Sequence, residues 1–133
     1  MQLTLYTDYS LRVLMFLGAN PERLCTAGEI SEFHKLSRNH LVKIVHNLVK
    51  LGYVESVKGK GGGMRLSGKP DEINLKKLIL EIEPNFNLVE CFDSETNTCR
   101  MAGACGLQGV LNHAFDSFAE TLSTYTLKDI IPK

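Results

Sequence analysis

Three cysteines, Cys91, Cys99 and Cys105, lie close together in one polar segment of the chain. Thiolates are common protein ligands of zinc and of iron–sulfur clusters, and a complete site of either kind normally takes four protein ligands. No fourth cysteine lies near these three, because Cys25 is far away in sequence. The pattern therefore predicts a sensor site whose fourth ligand comes from elsewhere in the protein.

Cys25 directly precedes a predicted helix start at Thr26, a position where an apolar residue can pack against Ile30 of the first turns. We interpret it as a small buried hydrophobic residue. The N-terminus lacks a basic stretch followed by an apolar core, and Arg12 interrupts its apolar run. We therefore expect no signal peptide, no membrane span and a cytoplasmic protein, in which thiols favour metal or redox chemistry over disulfides.

Charge is divided unevenly along a chain whose net charge is zero. Residues 1–70 hold ten of the fifteen Lys and Arg and five of the fifteen Asp and Glu, and residues 71–133 hold the reverse. A basic region is attracted to phosphate, whereas an acidic region is not and is expected to have a different function. The division predicts a nucleic-acid-binding region over 1–70 joined to a separate functional region over 71–133, within one compact unit.

Apolar periodicity and capping residues predict the elements of the first region. A helix is expected over 7–19, a short second helix from the Thr26 capping box to about His34, and a third over 38–51 capped by Ser37. A hairpin follows, with strands over 53–57 and 64–66 around a glycine-rich tip. Two helices joined by a short turn and followed by a hairpin predict a winged helix-turn-helix.

One face of the third helix carries polar side chains opposite its apolar stripe, and amide, guanidinium and ammonium groups are the ones that bind base edges and phosphates. The basic hairpin can lie along a minor groove. His34 and His46 are expected at the surface or facing DNA rather than as metal ligands. The candidate DNA-binding residues are Ser37, Arg38, Asn39, His40, Lys43, Lys50, Lys58, Lys60 and Arg65.

The glycine-rich tip, 58–63, does not predict a nucleotide site. A dinucleotide-binding loop needs a strand before its glycines and a helix after them, whereas this segment leads from strand to strand. The glycines instead indicate a tight turn with positive φ angles.

The second region is predicted to hold a helix that begins near Asn74 and stops at Pro84, the cysteine loop, and a longer helix from Leu107 to Tyr125. A last short turn begins at Thr126. The long helix has an apolar stripe too wide for one small domain to cover, so we expect it to mediate a homodimer. The fold class is mainly α with a small β-hairpin wing and a long C-terminal dimerisation helix.

The chain resembles the nitric-oxide-sensing repressors among the iron–sulfur winged-helix regulators, nearly from end to end. The runs that carry the resemblance are Met1–Thr4, Thr7–Tyr9, Ser37–Ile44, Gly52–Val54, Gly59–Gly63 with Arg65–Leu66, Glu83–Pro84 and Tyr125–Ile130. The resemblance implies a homodimer that binds a double-stranded DNA operator and holds one cluster per subunit, usually 4Fe-4S. Nitrosylation of the cluster would release the repressor from the operators of nitric-oxide detoxification genes.

The resemblance also implies the ligands: the three cysteines and Asp8, the latter donated by the other subunit. The residues leave two alternatives open. Asp8 is also favoured near a helix N-terminus by the helix macrodipole, without any ligand role. Asp93 and Glu95 are rival fourth ligands, because they lie in a first cysteine gap that is longer than usual. A 2Fe-2S cluster, zinc or a thiol switch are the alternatives on the same fold. No cysteine–histidine pair or other nucleophile motif indicates an enzyme.

Overall fold

The computed structural model describes all residues, 1–133, and confirms a mainly α fold with a small β-hairpin wing and a long C-terminal helix. The chain folds into six α-helices and a two-stranded antiparallel hairpin, with two short 3-10 turns in the second half. The elements are α1 Leu5–Ala19, α2 Ala27–His34, α3 Arg38–Lys50, β1 Val54–Val57, β2 Gly63–Leu66, α4 Leu75–Ile82, α5 Gly106–Ser123 and α6 Leu127–Ile130, with 3-10 turns at Pro70–Glu72 and Glu90–Phe92.

The helix starts follow from their capping residues. Thr26 and Glu29 form the predicted capping box at α2, in which each side chain accepts a hydrogen bond from a free backbone amide. Ser37 accepts from the His40 amide at 3.2 Å and so fixes the first residue of α3. Asn74 caps α4 in the same way through the Lys77 amide.

The core lies between α1, α2, α3 and α4 and includes the hairpin. The apolar stripe of α3 is buried in it, as the helical spacing predicts. Cys25 belongs to the same core with no exposed surface, which confirms its interpretation as a hydrophobic residue. Its backbone pairs with Met64 of β2 through two hydrogen bonds, of 2.9 and 2.8 Å, so the hairpin is held against the start of α2.

The hairpin is short and its tip turns sharply. Val54 pairs with Leu66 and Val57 with Gly63. Gly59 and Gly61 at the tip have φ angles of +95° and +76°, which side chains other than glycine rarely tolerate. The predicted positive-φ turn is confirmed, and it leaves the tip free of secondary structure.

Helix α5 is the least covered of the α-helices. Among its eighteen residues only Ala119 is buried, while Leu107 and Val110 are 61% and 65% exposed. Helix α4 packs against α5 and α1, so α5 touches the rest of the protein mainly along one edge. No helix combines the length and apolarity that crossing a membrane would require.

Candidate metal centre and nucleic-acid interface

The outer face of α3 is open to solvent along its length. Its polar residues are exposed, and none of Arg38, Lys43 and Lys50 forms an ion pair within the chain. Ser37 differs because its hydroxyl already caps the helix. The α3 residues that the sequence singled out are all exposed, and Asn39, Lys43, His46 and Lys50 share one face by helical spacing, flanked at the helix start by Arg38 and His40.

The wing presents two free cations and one paired cation. Lys58 and Lys60 are exposed at the tip. Arg65 lies opposite Glu55 in the strand register, and its Nε donates to the Glu55 carboxylate at 2.9 Å. Because both side chains are exposed, this pair is weak and can be exchanged for a phosphate contact.

His34, predicted at the surface or facing DNA, is partly exposed. Its ring packs against Phe33 and Phe16, with centroids 4.9 and 6.0 Å away, and its Nε2 is buried without a hydrogen-bond partner. Burial lowers the pKa of His34. The sequence did not indicate this packing, because the last turn of α2 packs on α1, a contact that periodicity in an eight-residue helix does not reveal.

The three clustered cysteines are free thiols on the loop between α4 and α5. Cys91 and Cys105 are half-buried and Cys99 is exposed. Cys105 immediately precedes α5, where the free amides of the first turn favour a negatively charged ligand. The thiols do not converge with any other His, Cys, Asp or Glu into a group of three that could hold a metal ion.

Two contacts, Glu90 with Thr98 and Gln108 with Cys91, nevertheless brace the cysteine loop. Glu90 accepts from both the amide and the hydroxyl of Thr98, each at 2.6 Å, so the residues that precede Cys91 and Cys99 are joined. These bonds lower the pKa of the Glu90 carboxyl. Gln108 of α5 donates to the carbonyl oxygen of Cys91 at 3.4 Å. Sequence reasoning identified neither brace.

Asp93, a rival fourth ligand, is occupied within the loop. Its two carboxylate oxygens accept from the Glu95 amide at 3.0 Å and from the Thr96 hydroxyl at 2.9 Å. Both bonds lower the pKa of Asp93. This arrangement is a local turn that absorbs the long first cysteine gap. A carboxylate engaged in this way favours a structural role for Asp93.

Asp8 lies on the first turn of α1 and is paired with Arg12. The guanidinium contacts both carboxylate oxygens, at 2.7 and 3.2 Å, and both side chains are about 40% exposed. Sequence reasoning missed Arg12, although the i, i+4 spacing on a helix is a signal for such a pair. Asp8 forms no metal-holding group with the cysteines of its own chain.

The donor set fits an iron–sulfur cluster by its chemistry. Three soft thiolate donors on one loop are the ligands that iron–sulfur clusters prefer, and a half-exposed carboxylate such as Asp8 is a harder, weaker donor. Thiolates also bind zinc, so the donor set alone does not separate these metals.

The Glu90 brace gives a direct prediction. We expect Glu90→Ala to accelerate hydrogen exchange of the Thr98 amide about tenfold, because a charge-assisted hydrogen bond is lost. Nuclear magnetic resonance of the 15N-labelled protein measures this exchange. Since the folded-state pKa of Glu90 is lowered, the bond is present above the ordinary Glu pKa and is lost as pH falls through the lowered value.

Glu95→Ala is the matched control for Glu90→Ala, because the Glu95 side chain in the same loop accepts no hydrogen bond. Thr98 exchange should not change in this variant. Equal Thr98 exchange rates in Glu90→Ala and the unmodified protein would show that Glu90 does not stabilise the loop.

Comparison with known proteins places these features in a family context. Residues 3–133 match the Rrf2 model, described as an iron-dependent transcriptional regulator. The chain is similar to the HTH-type transcriptional regulators NsrR of Shouchella clausii, Bacillus subtilis and Bacillus licheniformis, with 46%, 46% and 48% identity. Each alignment covers 98% of this chain and 89%, 90% and 92% of the respective relative.

Solved structures with lower identity share the fold. CymR of B. subtilis, the global cysteine regulator, superposes with a TM-score of 0.79 at 23% identity, covering 98% of this chain and 96% of that protein. T. potens IscR superposes with a TM-score of 0.77 at 22% identity, covering 98% and 85%.

Proposed function

This chain belongs to the Rrf2 family of iron-dependent transcriptional regulators, and from that premise we propose that it is a homodimeric repressor that senses nitric oxide through an iron–sulfur cluster. It is a DNA-binding transcriptional regulator similar to NsrR and not an enzyme. The main support for nitric-oxide sensing is that one short chain combines a solvent-exposed outer face of α3 with three free thiols on a hydrogen-bonded loop.

In the proposed complex, α3 lies in the major groove of a double-stranded operator. Arg38, Asn39 and His40 at the start of the helix contact base edges, while Lys43 and Lys50 contact phosphates. The hydroxyl of Ser37 keeps the helix start in place. At the wing, Lys58, Lys60 and Arg65 lie along the adjacent minor groove. Arg65 first exchanges its Glu55 partner for a phosphate.

Dimerisation through α5 is supported by the exposure of that helix. A helix with a wide apolar stripe and one buried residue is unstable in water unless another surface covers it. An apolar groove of about 580 Å³ runs beside it, lined by Phe86, Phe115 and Phe118 among others. A two-fold dimer also places two recognition helices on one pseudo-palindromic operator.

In the proposed sensor site, Cys91, Cys99 and Cys105 hold one cluster per subunit, of the 4Fe-4S type, and Asp8 of the partner subunit is the fourth ligand. When bound, the cluster supplies iron with which nitric oxide reacts, most readily where a carboxylate is the ligand. Asp8 must share or leave Arg12 to serve as a ligand, because the guanidinium contacts both of its carboxylate oxygens. Ligation by Asp8 would thus fix α1 relative to the partner.

Mixed dimers test whether Asp8 acts across the dimer. A dimer of one Asp8→Ala subunit and one Cys99→Ala subunit contains one complete site if the ligand comes from the partner, and none if it comes from the same chain. We expect such dimers to hold about half of the unmodified cluster content. That cluster should decay in air at the unmodified rate, whereas Asp8→Ala homodimers should lose theirs about tenfold faster or more.

Differently tagged subunits allow the mixed dimers to be purified, and the visible absorbance follows cluster decay. Decay of the mixed-dimer cluster at the rate of the Asp8→Ala homodimer would contradict donation by the partner. An unmodified decay rate in the Asp8→Ala homodimer itself would assign the fourth ligand to another residue.

A further inference from the structure

Glu83 is the one charged residue in the buried set, and it stands at the C-terminal end of α4. Its carboxylate accepts from the amide and the hydroxyl of Thr4, at 3.1 and 3.2 Å, and from the hydroxyl of Thr7 at 2.5 Å. No cation pairs with it. Since a buried carboxylate is costly without such donors, these bonds fix the end of α4 to the first turn of α1, which carries Asp8.

Glu81, in the last turn of α4, instead contacts the segment that follows the C-terminus of α3. Its carboxylate accepts from the hydroxyl of Tyr53. Burial, followed by this bond, raises the pKa of Tyr53 far above its usual value, so the phenol stays a neutral donor. The backbone of Tyr53 donates to Leu48 of α3 at 2.9 Å and accepts from Ser67, just after the wing, at 3.0 Å.

Helix α4 packs against the core along one face. Four of its eight residues are buried on one face. Its end is followed directly by Pro84 and then by the segment that leads to Cys91. A short packed helix with polar contacts at one end transmits a displacement of that end to both partners, because packed contacts do not deform continuously.

We propose that Glu81 and Glu83 are positioning residues that couple the cysteine loop to the DNA-binding surface. Glu83 holds the α1 turn that bears Asp8, and Glu81 holds Tyr53, to which both α3 and the wing are attached. A rearrangement of the loop then shifts the end of α4 and changes the orientation of the recognition helix. The inference rests on the proposed function and deepens it, because it names residues that carry the response from sensor to DNA.

Tyr53→Phe tests the Glu81 contact while removing a single oxygen atom. The quantity to measure is the ratio of operator dissociation constants between cluster-free and cluster-loaded dimers, which for the unmodified protein should be about 5- to 150-fold. In Tyr53→Phe we expect the ratio to fall to within about threefold of one, because the contact no longer transmits the response. The visible spectrum of the loaded protein should not change.

Tyr125→Phe is the matched control, because the exposed Tyr125 hydroxyl makes no hydrogen bond within the chain and its removal should leave the ratio unaltered. A second readout needs no cluster. In the cluster-free protein, hydrogen exchange over β1 and the last turn of α3 should be faster in Tyr53→Phe than in Tyr125→Phe. If the Tyr53 hydroxyl only stabilised the local packing, Tyr53→Phe would leave the ratio of operator dissociation constants unchanged.

Thr7→Val tests the Glu83 contact with a side chain of similar shape, and it should lower the ratio as Tyr53→Phe does. Because the contacts act in series, the double variant should be no worse than either single variant. An unmodified ratio in both single variants would overturn the inference while leaving the proposed function intact. A ratio of one in the unmodified protein, or no bound iron, would overturn the proposed function and the inference with it.

Discussion

Cys99→Ala is expected to abolish cluster binding. Cys99 supplies one of three thiols on the loop, and two thiols with one carboxylate are too few strong donors for an iron–sulfur site. Anaerobic reconstitution followed by iron and sulfide analysis measures the effect, and we expect iron below about a tenth of the unmodified level. The cluster-free protein should remain folded, since Cys99 is exposed and outside the core.

Cys25→Ala is the matched control for Cys99→Ala. Cys25 is fully buried beside Met64 and distant in sequence from the loop, so this variant should bind iron at the unmodified level. Its loss of one buried sulfur atom should instead lower the melting temperature slightly. Iron retained by Cys99→Ala, or lost in Cys25→Ala, would mean that the cysteine assignment is wrong.

Arg38→Ala is expected to weaken operator binding about 5- to 150-fold, corresponding to about 1–3 kcal/mol for a guanidinium that contacts a base edge. Arg38 is the first residue of α3, exposed and without an ion pair, so its removal should not disturb the fold. Binding to operator variants, measured by fluorescence anisotropy at fixed salt, should show that specificity is relaxed at one position of each half-site.

Lys128→Ala serves as the control for lost charge, because Lys128 is an exposed lysine of α6 in the other region of the chain. It should leave operator affinity within about twofold. The visible spectrum of the cluster should be the same in both variants. Equal affinity of Arg38→Ala and the unmodified protein would remove Arg38 from the interface.

The helices were predictable because their signals are local. The Thr26 capping box and the apolar stripe of α3 each involve residues within a few positions of one another, and the structure shows both. The outer face of α3 follows from the same periodicity. The 3-10 turn at Glu90–Phe92 was missed because three residues are too few to show a period.

The contacts around the candidate sensor could not be predicted, because they join residues far apart in sequence. Glu83 meets Thr7, and Glu81 meets Tyr53, only after the chain has folded. The packing of the His34 ring on Phe16 has the same origin, since it depends on how α2 packs on α1. A ligand donated by a partner subunit would leave even less trace in one chain, and Asp8 is proposed as a ligand only from resemblance to a family.

In the proposed function this protein binds an iron–sulfur cluster and releases DNA when nitric oxide reacts with the cluster. The most direct test of this function is the visible absorption spectrum and iron content of anaerobically purified protein, recorded with operator binding before and after addition of nitric oxide. We predict a broad absorbance from an iron–sulfur cluster that bleaches as operator affinity falls. Zinc or no metal, with operator binding unaffected by nitric oxide, would contradict the sensor.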